Sequence, residues 1–102
     1  MIESNGLFQV EDVFFINRGK QKEQIAVLGQ VKEGAFQVGD EVIIQKQSGL
    51  EIKTTVVRLL AFDPIEIAFK GYNVGMALSD VAITDISQGD IIVKRLDDNK
   101  KS

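Results

Sequence analysis

The sequence has 102 residues, of which 44% are hydrophobic and 26% charged, and this composition is that of one small globular domain rather than a disordered chain. It contains no cysteine and no histidine, which excludes disulfides, thiol chemistry, the usual zinc ligands and the commonest general base. The net charge of −3 argues against non-specific nucleic-acid binding, because such binding depends on Lys and Arg side chains that neutralise phosphates.

Apolar residues recur at every second position along most of the chain, which is the period of half-buried β-strands. Glycines, often with Asp, Asn or Ser beside them, separate these runs at short intervals. The pattern predicts strands at 7–16, 24–33, 41–47, 50–62, 73–79 and 90–95. The segment 65–70 fits either a short strand or one turn of helix. We therefore predict an all-β fold, a small closed or nearly closed barrel of about six or seven antiparallel strands.

The ends of the chain are predicted to lie outside this barrel. We expect an N-terminal extension at 1–6, the barrel at 7–95 and a polar C-terminal tail at 96–102. The start of the sequence lacks the basic and apolar stretches of a signal peptide, and no apolar run approaches the ~20 residues of a membrane span. These features predict a cytoplasmic protein without membrane association.

The end of the first strand contains four consecutive large apolar residues, Val13-Phe14-Phe15-Ile16. Successive side chains of a strand point to opposite faces, so if Val13 and Phe15 enter the core, Phe14 and Ile16 point outward unless a bulge intervenes. Outward apolar groups that gather mark a groove or an interface. The alternative is that a loop or the chain's own tail covers them.

The first predicted hairpin has a basic tip. Arg18, Lys20 and Lys22 lie within five consecutive residues, and such a tip is either simply solvated or a contact for phosphate groups. The segment 71–75 has the wrong spacing for a dinucleotide-binding fingerprint and is read as a turn.

Catalytic and cofactor sites are not predicted. Glu11 and Asp12 are adjacent carboxylates, but no His, Cys or metal-ligand spacing accompanies them. We therefore expect no enzymatic activity, no metal and no cofactor.

Taken in order, several segments resemble domain II of the translational GTPases, the β-barrel found in elongation factor Tu and initiation factor two. The resemblance spans about 7–95 and rests on the segments 10–14, 29–31, 34–42, 68–75 and 86–90. It implies the barrel fold. The first hairpin departs from the family's compact Gly-Arg-Gly-Thr tip, because residues 20–24 are inserted after Arg18-Gly19. The Gly-rich loop ending in Gly-Lys-Ser/Thr is absent from this sequence, so GTP binding and hydrolysis are not implied.

The resemblance also implies a set of candidate partner residues. In the elongation factor, this domain holds the aminoacylated end of tRNA, and the matching positions are Glu11, Phe14, Ile16, Asn73 and Ala77. Two positions differ from the family: a glutamate that contacts the terminal adenosine aligns near Arg58, which reverses the charge, and Ala77 replaces a larger aliphatic residue. Other members use the domain mainly to contact small-subunit ribosomal RNA.

The sequence therefore predicts a non-enzymatic adaptor barrel that contacts RNA, the ribosome or a protein partner. The alternative is a homo-oligomerising structural module without a nucleic-acid role, which would associate through exposed strand edges and the face of Phe14 and Ile16.

Overall fold

The computed structural model describes residues 4–16 and 24–95, which form eight strands and one short 3₁₀ helix. The strands are β1 (Ser4–Ile16), β2 (Gln24–Gln37), β3 (Glu41–Gln45), β4 (Glu51–Leu60), β5 (Pro64–Ile65), β6 (Ile67–Phe69), β7 (Asn73–Leu78) and β8 (Ile91–Arg95). The 3₁₀ helix is Ile83–Asp85. In these described ranges no helix has the length and apolar character needed to cross a membrane.

Six of the strands close into an antiparallel barrel in the order β1-β8-β3-β4-β7-β2, and β2 pairs with β1 to complete the circle. The short β6 pairs with the end of β2, and β5 pairs with the end of β4. The predicted all-β barrel is confirmed. The ambiguous segment 65–70 contributes to strands and not to a helix.

Two strands are longer than the sequence pattern predicted. β1 begins at Ser4, within the segment expected to be an extension, and β2 continues to Gln37 instead of ending at 33. Gly34 directly follows the predicted end of this strand, but it pairs with Gly6 inside the β1–β2 ladder. Its φ of 68° is accessible to glycine without strain, so the strand passes through this position.

The core is built from the inward residues of all six barrel strands. The rings of Phe8 and Phe36 are fully buried and meet edge to face, with centroids 6.1 Å apart. Gly29 lies beneath the Phe8 ring, and a Cβ atom there would stand 1.9 Å from the Gln9 carbonyl oxygen. The close approach of β1 and β2 at this point therefore requires a glycine.

A bulge in β1 decides which face Phe14 occupies. Val10 is buried and pairs with Gly29, whereas Asp12 already pairs with Leu28, so Glu11 is an extra residue without a partner in the ladder. An extra residue reverses the inward–outward alternation beyond it. Without the bulge Phe14 would face inward like Val10, and with it Phe14 faces outward.

The turns before β3 and β8 have the same Gly-Asp sequence and the same backbone arrangement. Each contains a glycine with positive φ, Gly39 at 99° and Gly89 at 95°, followed by an aspartate. The Asp40 carboxylate accepts hydrogen bonds from the Gln37 amide at 2.8 Å and from Lys94 at 2.7 Å.

The Asp90 carboxylate is more deeply buried and accepts from three donors. These are Lys46 Nζ at 2.9 Å, the Gln47 amide at 3.1 Å and the Ser87 amide at 2.9 Å. Burial by itself would raise the pKa of Asp90, but the hydrogen bonds from Lys46, Ser87 and Gln47, together with the Lys46 charge, lower it below its ordinary value of 3.8. The ion pair ties the end of β3 to the turn that begins β8.

Candidate partner groove

One row of four residues crosses the outer face of the barrel on four neighbouring strands. Phe14 on β1 stands opposite Ala26 on β2, which stands opposite Ala77 on β7, which stands opposite Arg58 on β4. Both alanines are buried but lie outside the core cluster, whereas Val27 next to Ala26 belongs to it. Alternation therefore places the alanines on the outer face, where their larger neighbours shield them.

A second row lies beside the first and is also apolar at its centre. Leu28 on β2 stands opposite Gly75 on β7, which stands opposite Leu60 on β4. A Cβ atom on Gly75 would lie 3.8 Å from Leu28 Cδ2 and 3.9 Å from Leu60 Cβ, so the two leucines flank the glycine.

Together the two rows form an apolar strip on the barrel wall, which we call the outer groove. Its floor consists of Ala26, Gly75 and Ala77, and its walls are Phe14 and Leu28 on one side and Arg58 and Leu60 on the other. Large side chains therefore rise on both sides of a line of small ones.

A second bulge orients the charged wall of the groove. In β4 Val56 pairs with Leu78 and Arg58 already pairs with Ala77, so Val57 is an extra residue. Val56 is buried, and without this bulge Arg58 would follow it into the core. The bulges in β1 and β4, the two strands that flank the groove, thus place Phe14 and Arg58 on its walls.

The structure brings some of the predicted partner residues together and leaves others apart. Phe14 and Ala77 share the first row, and Asn73 is exposed on the same face of β7, two residues before Gly75. Glu11 is exposed in the β1 bulge, beside the groove rather than in it. Ile16 pairs through its backbone with Gln24 at the end of β1, and its side chain lies outside the described part of the structure.

The predicted phosphate contacts Arg18, Lys20 and Lys22 also lie outside the described residues. Their role stays a prediction from the sequence. Among residues 4–16 and 24–95 no group of three or more acidic side chains is arranged to hold a metal ion.

Sequence reasoning missed four residues of the groove, which are Ala26, Leu28, Leu60 and Gly75. Gly75 belongs to a segment of the family resemblance but was read as part of a turn, and the other three carry no motif. The four residues meet only because β7 lies between β2 and β4. One signal was present: Leu28 is a large apolar residue at an outward position of an alternating strand, and it leaves 44% of its surface exposed.

Two comparisons with known proteins bear on this fold. The model of the family described as Elongation factor Tu domain 2 matches residues 26–93, more than half of the chain. The chain belongs to this family. Domain II of translation factors is a non-catalytic domain, and this sequence has no GTPase motif. The predicted family resemblance is confirmed.

A solved structure shares the fold of this family member. It is that of translation elongation factor SelB from Methanococcus maripaludis in its apo form, with a TM-score of 0.75 and 24% sequence identity. The similar region covers 90% of this chain and 19% of SelB, so the chain spans about a fifth of that structure's length. At this identity the likeness establishes the barrel architecture and not the partner.

Proposed function

We propose that this domain is a non-catalytic docking barrel of the translation apparatus, acting in the cytoplasm, and that its outer groove binds RNA. Membership of the elongation factor Tu domain 2 family supports the translation setting. The main support for the groove as the binding site is the row Phe14–Ala26–Ala77–Arg58, in which small residues lie between an aromatic wall and a cationic one.

The chemistry of the two walls suits a nucleotide. The apolar strip offers Phe14 and Leu28 to the flat face of a base, and stacking on an aromatic ring is tolerant of base identity. Arg58 offers a planar guanidinium that binds phosphate with paired hydrogen bonds. Glu11 and Asp12 are exposed beside the Phe14 wall and repel phosphate there. We therefore orient the RNA backbone along the Arg58 side and the bases toward Phe14.

The proposal is tested by fluorescence anisotropy with a labelled unpaired RNA of about 12 nucleotides at low salt, a length within the ~4–16 nucleotides that one OB-fold barrel binds. Leu28→Ala should weaken binding. Leu50→Ala is the control, because Leu50 is also an exposed leucine but lies in the turn before β4. Phe14→Ala should weaken binding by ~5- to 100-fold, the effect of losing one stacked base or anchor.

Three results would contradict the proposal. Unpaired RNA that does not bind the unaltered protein at low salt would remove the function. Equal binding by Leu28→Ala and Leu50→Ala would remove the groove. A concentration-dependent mass that Leu28→Ala abolishes would show instead that the groove joins two copies of the chain.

The basic hairpin supplies a separate prediction. If Arg18, Lys20 and Lys22 contact phosphates, replacing all three with alanine should flatten the salt dependence of affinity for unpaired RNA by about 2 units, near 0.7 for each phosphate that is no longer neutralised. An unchanged slope would mean that the hairpin tip is only solvated.

The absence of a phosphate-binding loop in this sequence predicts that the chain neither binds nor hydrolyses GTP. Isothermal calorimetry with GTP and Mg²⁺ checks this, and micromolar affinity would contradict it.

A further inference from the structure

The turn between β6 and β7 exposes two aromatic rings that the core does not use. Phe69 and Tyr72 leave 48% and 43% of their surfaces exposed. Their ring centroids are 5.8 Å apart at an interplanar angle of 77°, an edge-to-face pair. Exposed rings that contact each other offer an apolar surface to a partner instead of filling the core.

The turn that carries the rings is held in place by backbone hydrogen bonds. The Tyr72 amide donates to the Phe69 carbonyl at 2.9 Å, and Gly71 takes a φ of 93°. The Gly71 amide donates to the Val31 carbonyl at 2.8 Å, and the Val31 amide donates to the Tyr72 carbonyl at 2.9 Å. The rings are therefore preorganised, which reduces the entropy lost when a partner binds.

Two lysines lie beside this aromatic pair. Lys70 is exposed inside the turn itself. Lys32 donates to Gln30 Oε1 at 2.8 Å, and Gln30 Nε2 lies 3.4 Å from the Gly71 carbonyl oxygen. The amide of Gln30 thus links the Lys32 ammonium to the turn. The patch combines flat apolar rings with positive charge, although the chain as a whole is acidic.

We infer that Phe69 and Tyr72, with Lys32 and Lys70, form a stacking platform for unpaired RNA nucleotides. Bases stack on the rings, and the two ammonium groups contact the adjoining phosphates. Unpaired strands are specified because the bases of a duplex are stacked on one another and present no free face to a protein ring. The lysines favour a polyanion over an apolar protein surface.

The inference rests on the proposed function and extends it. Asn73 follows Tyr72 directly and lies on the outer face of β7, two residues from Gly75 in the groove floor. The platform is therefore next to one end of the outer groove. A single RNA strand that leaves the groove past Asn73 reaches the platform.

The protein contains its own probe for this site. Tyr72 is the single tyrosine and there is no tryptophan, so tyrosine fluorescence reports on the platform alone. Adding unlabelled oligouridine of about 12 nucleotides should quench it as bases stack. A duplex RNA of the same length should not. N-acetyltyrosinamide at the same RNA concentrations corrects for light absorbed by the RNA.

Variants measure the contribution of the rings and the charges. Phe69→Ala and Tyr72→Leu should each lower the affinity for oligouridine ~5- to 100-fold by anisotropy. Tyr72→Leu keeps an apolar side chain against Phe69, so the turn retains its packing. Phe62→Ala is the matched control, because Phe62 is fully exposed in the turn after β4.

Replacing Lys32 and Lys70 together with alanine should reduce the salt slope by ~1.4, near 0.7 for each contact with a single strand. Lys53→Ala is the control for charge, because Lys53 is exposed on β4. Melting temperatures near that of the unaltered protein verify that the variants are folded.

The outcomes separate this inference from the proposed function. Quenching by oligouridine together with weakened binding of the Phe69 and Tyr72 variants supports the platform. If those variants bind normally while Leu28→Ala does not, the platform is wrong and the groove stands. If only the platform variants lose binding, the groove is wrong and the platform stands. Equal quenching by duplex RNA overturns the preference for unpaired strands, and no RNA binding by the unaltered protein overturns both.

Discussion

Asp90 is the residue whose replacement should destabilise the fold most clearly through a named set of contacts. Its carboxylate is 2% exposed and accepts hydrogen bonds from Lys46 Nζ, the Gln47 amide and the Ser87 amide. Asp90→Ala removes all three hydrogen bonds at once. It leaves two backbone N–H groups without this acceptor, and it separates Lys46, with 17% of its side chain exposed, from its counter-charge.

The size of the effect follows from this burial. Removing one partner of a buried ion pair costs about 3–5 kcal/mol of unfolding free energy. Lys46 keeps some access to water and a hydrogen bond to the Asp85 carbonyl at 3.2 Å, so we expect the lower end, about 3 kcal/mol. In a domain of this size each 1 kcal/mol lowers the melting temperature by about 4–8 °C. The expected drop is therefore at least ~12 °C.

The equivalent aspartate in the other Gly-Asp turn is a matched control. Asp40 also accepts from a backbone amide and a lysine, but its side chain is 23% exposed. Water can replace its hydrogen-bond partners more easily, so Asp40→Ala should cost only about 1–2 kcal/mol. Urea unfolding of the two variants, with unchanged m-values, measures the difference. Equal losses of stability from both, or a loss below ~1 kcal/mol from Asp90→Ala, would refute the reasoning that burial sets the cost.

Three further predictions concern acid stability and the barrel wall. The pKa of folded Asp90 is lowered, so its stabilisation is present above the ordinary pKa near 3.8 and is lost as pH falls through the folded value. The urea concentration at the unfolding midpoint should therefore decrease when the pH is lowered below about 4. In Asp90→Asn this decrease should be smaller, and a pH profile identical to that of the unaltered protein would contradict the prediction. Gly29→Ala should lower the free energy of unfolding by more than the ~1–3 kcal/mol of ordinary overpacking, because its Cβ would stand 1.9 Å from a carbonyl oxygen of β1. Gly75→Ala should be tolerated, because its Cβ would meet its first neighbour at 3.8 Å. Thermal melts of the two variants measure the difference. Phe8→Ala should lower the free energy of unfolding by ~3–5 kcal/mol. Phe14→Ala should lower it by about 2 kcal/mol, because Phe14 leaves 37% of its surface exposed. Equal losses of stability in urea would place Phe14 in the core.

Local sequence patterns were sufficient to predict the fold class. Alternating apolar residues and Gly-Asp turns act over a few residues, so they report strands and turns without any knowledge of the partner strand. Gly39 and Gly89, each followed by an aspartate, are two of the glycines that separate the apolar runs of the sequence. The resemblance to the translation-factor barrel came from the order and spacing of such local segments.

The outward position of Phe14 was predicted for an incomplete reason. Alternation within Val13–Ile16 indicated it, but alternation counted from the buried Val10 would have placed Phe14 in the core. The extra residue at Glu11 resolves the conflict, and a bulge depends on how β1 pairs with β2. The same is true of Val57 and the position of Arg58 on β4.

The sequence alone determined that this chain forms a β-barrel of the translation-factor type and that Phe14 is a candidate contact. Tertiary structure alone decided that Leu28, Gly75 and Leu60 form one row, because residues far apart in the chain become neighbours only when β7 inserts between β2 and β4. Strand order and bulges arise from pairing between distant segments. A local pattern of side chains contains no information on that pairing.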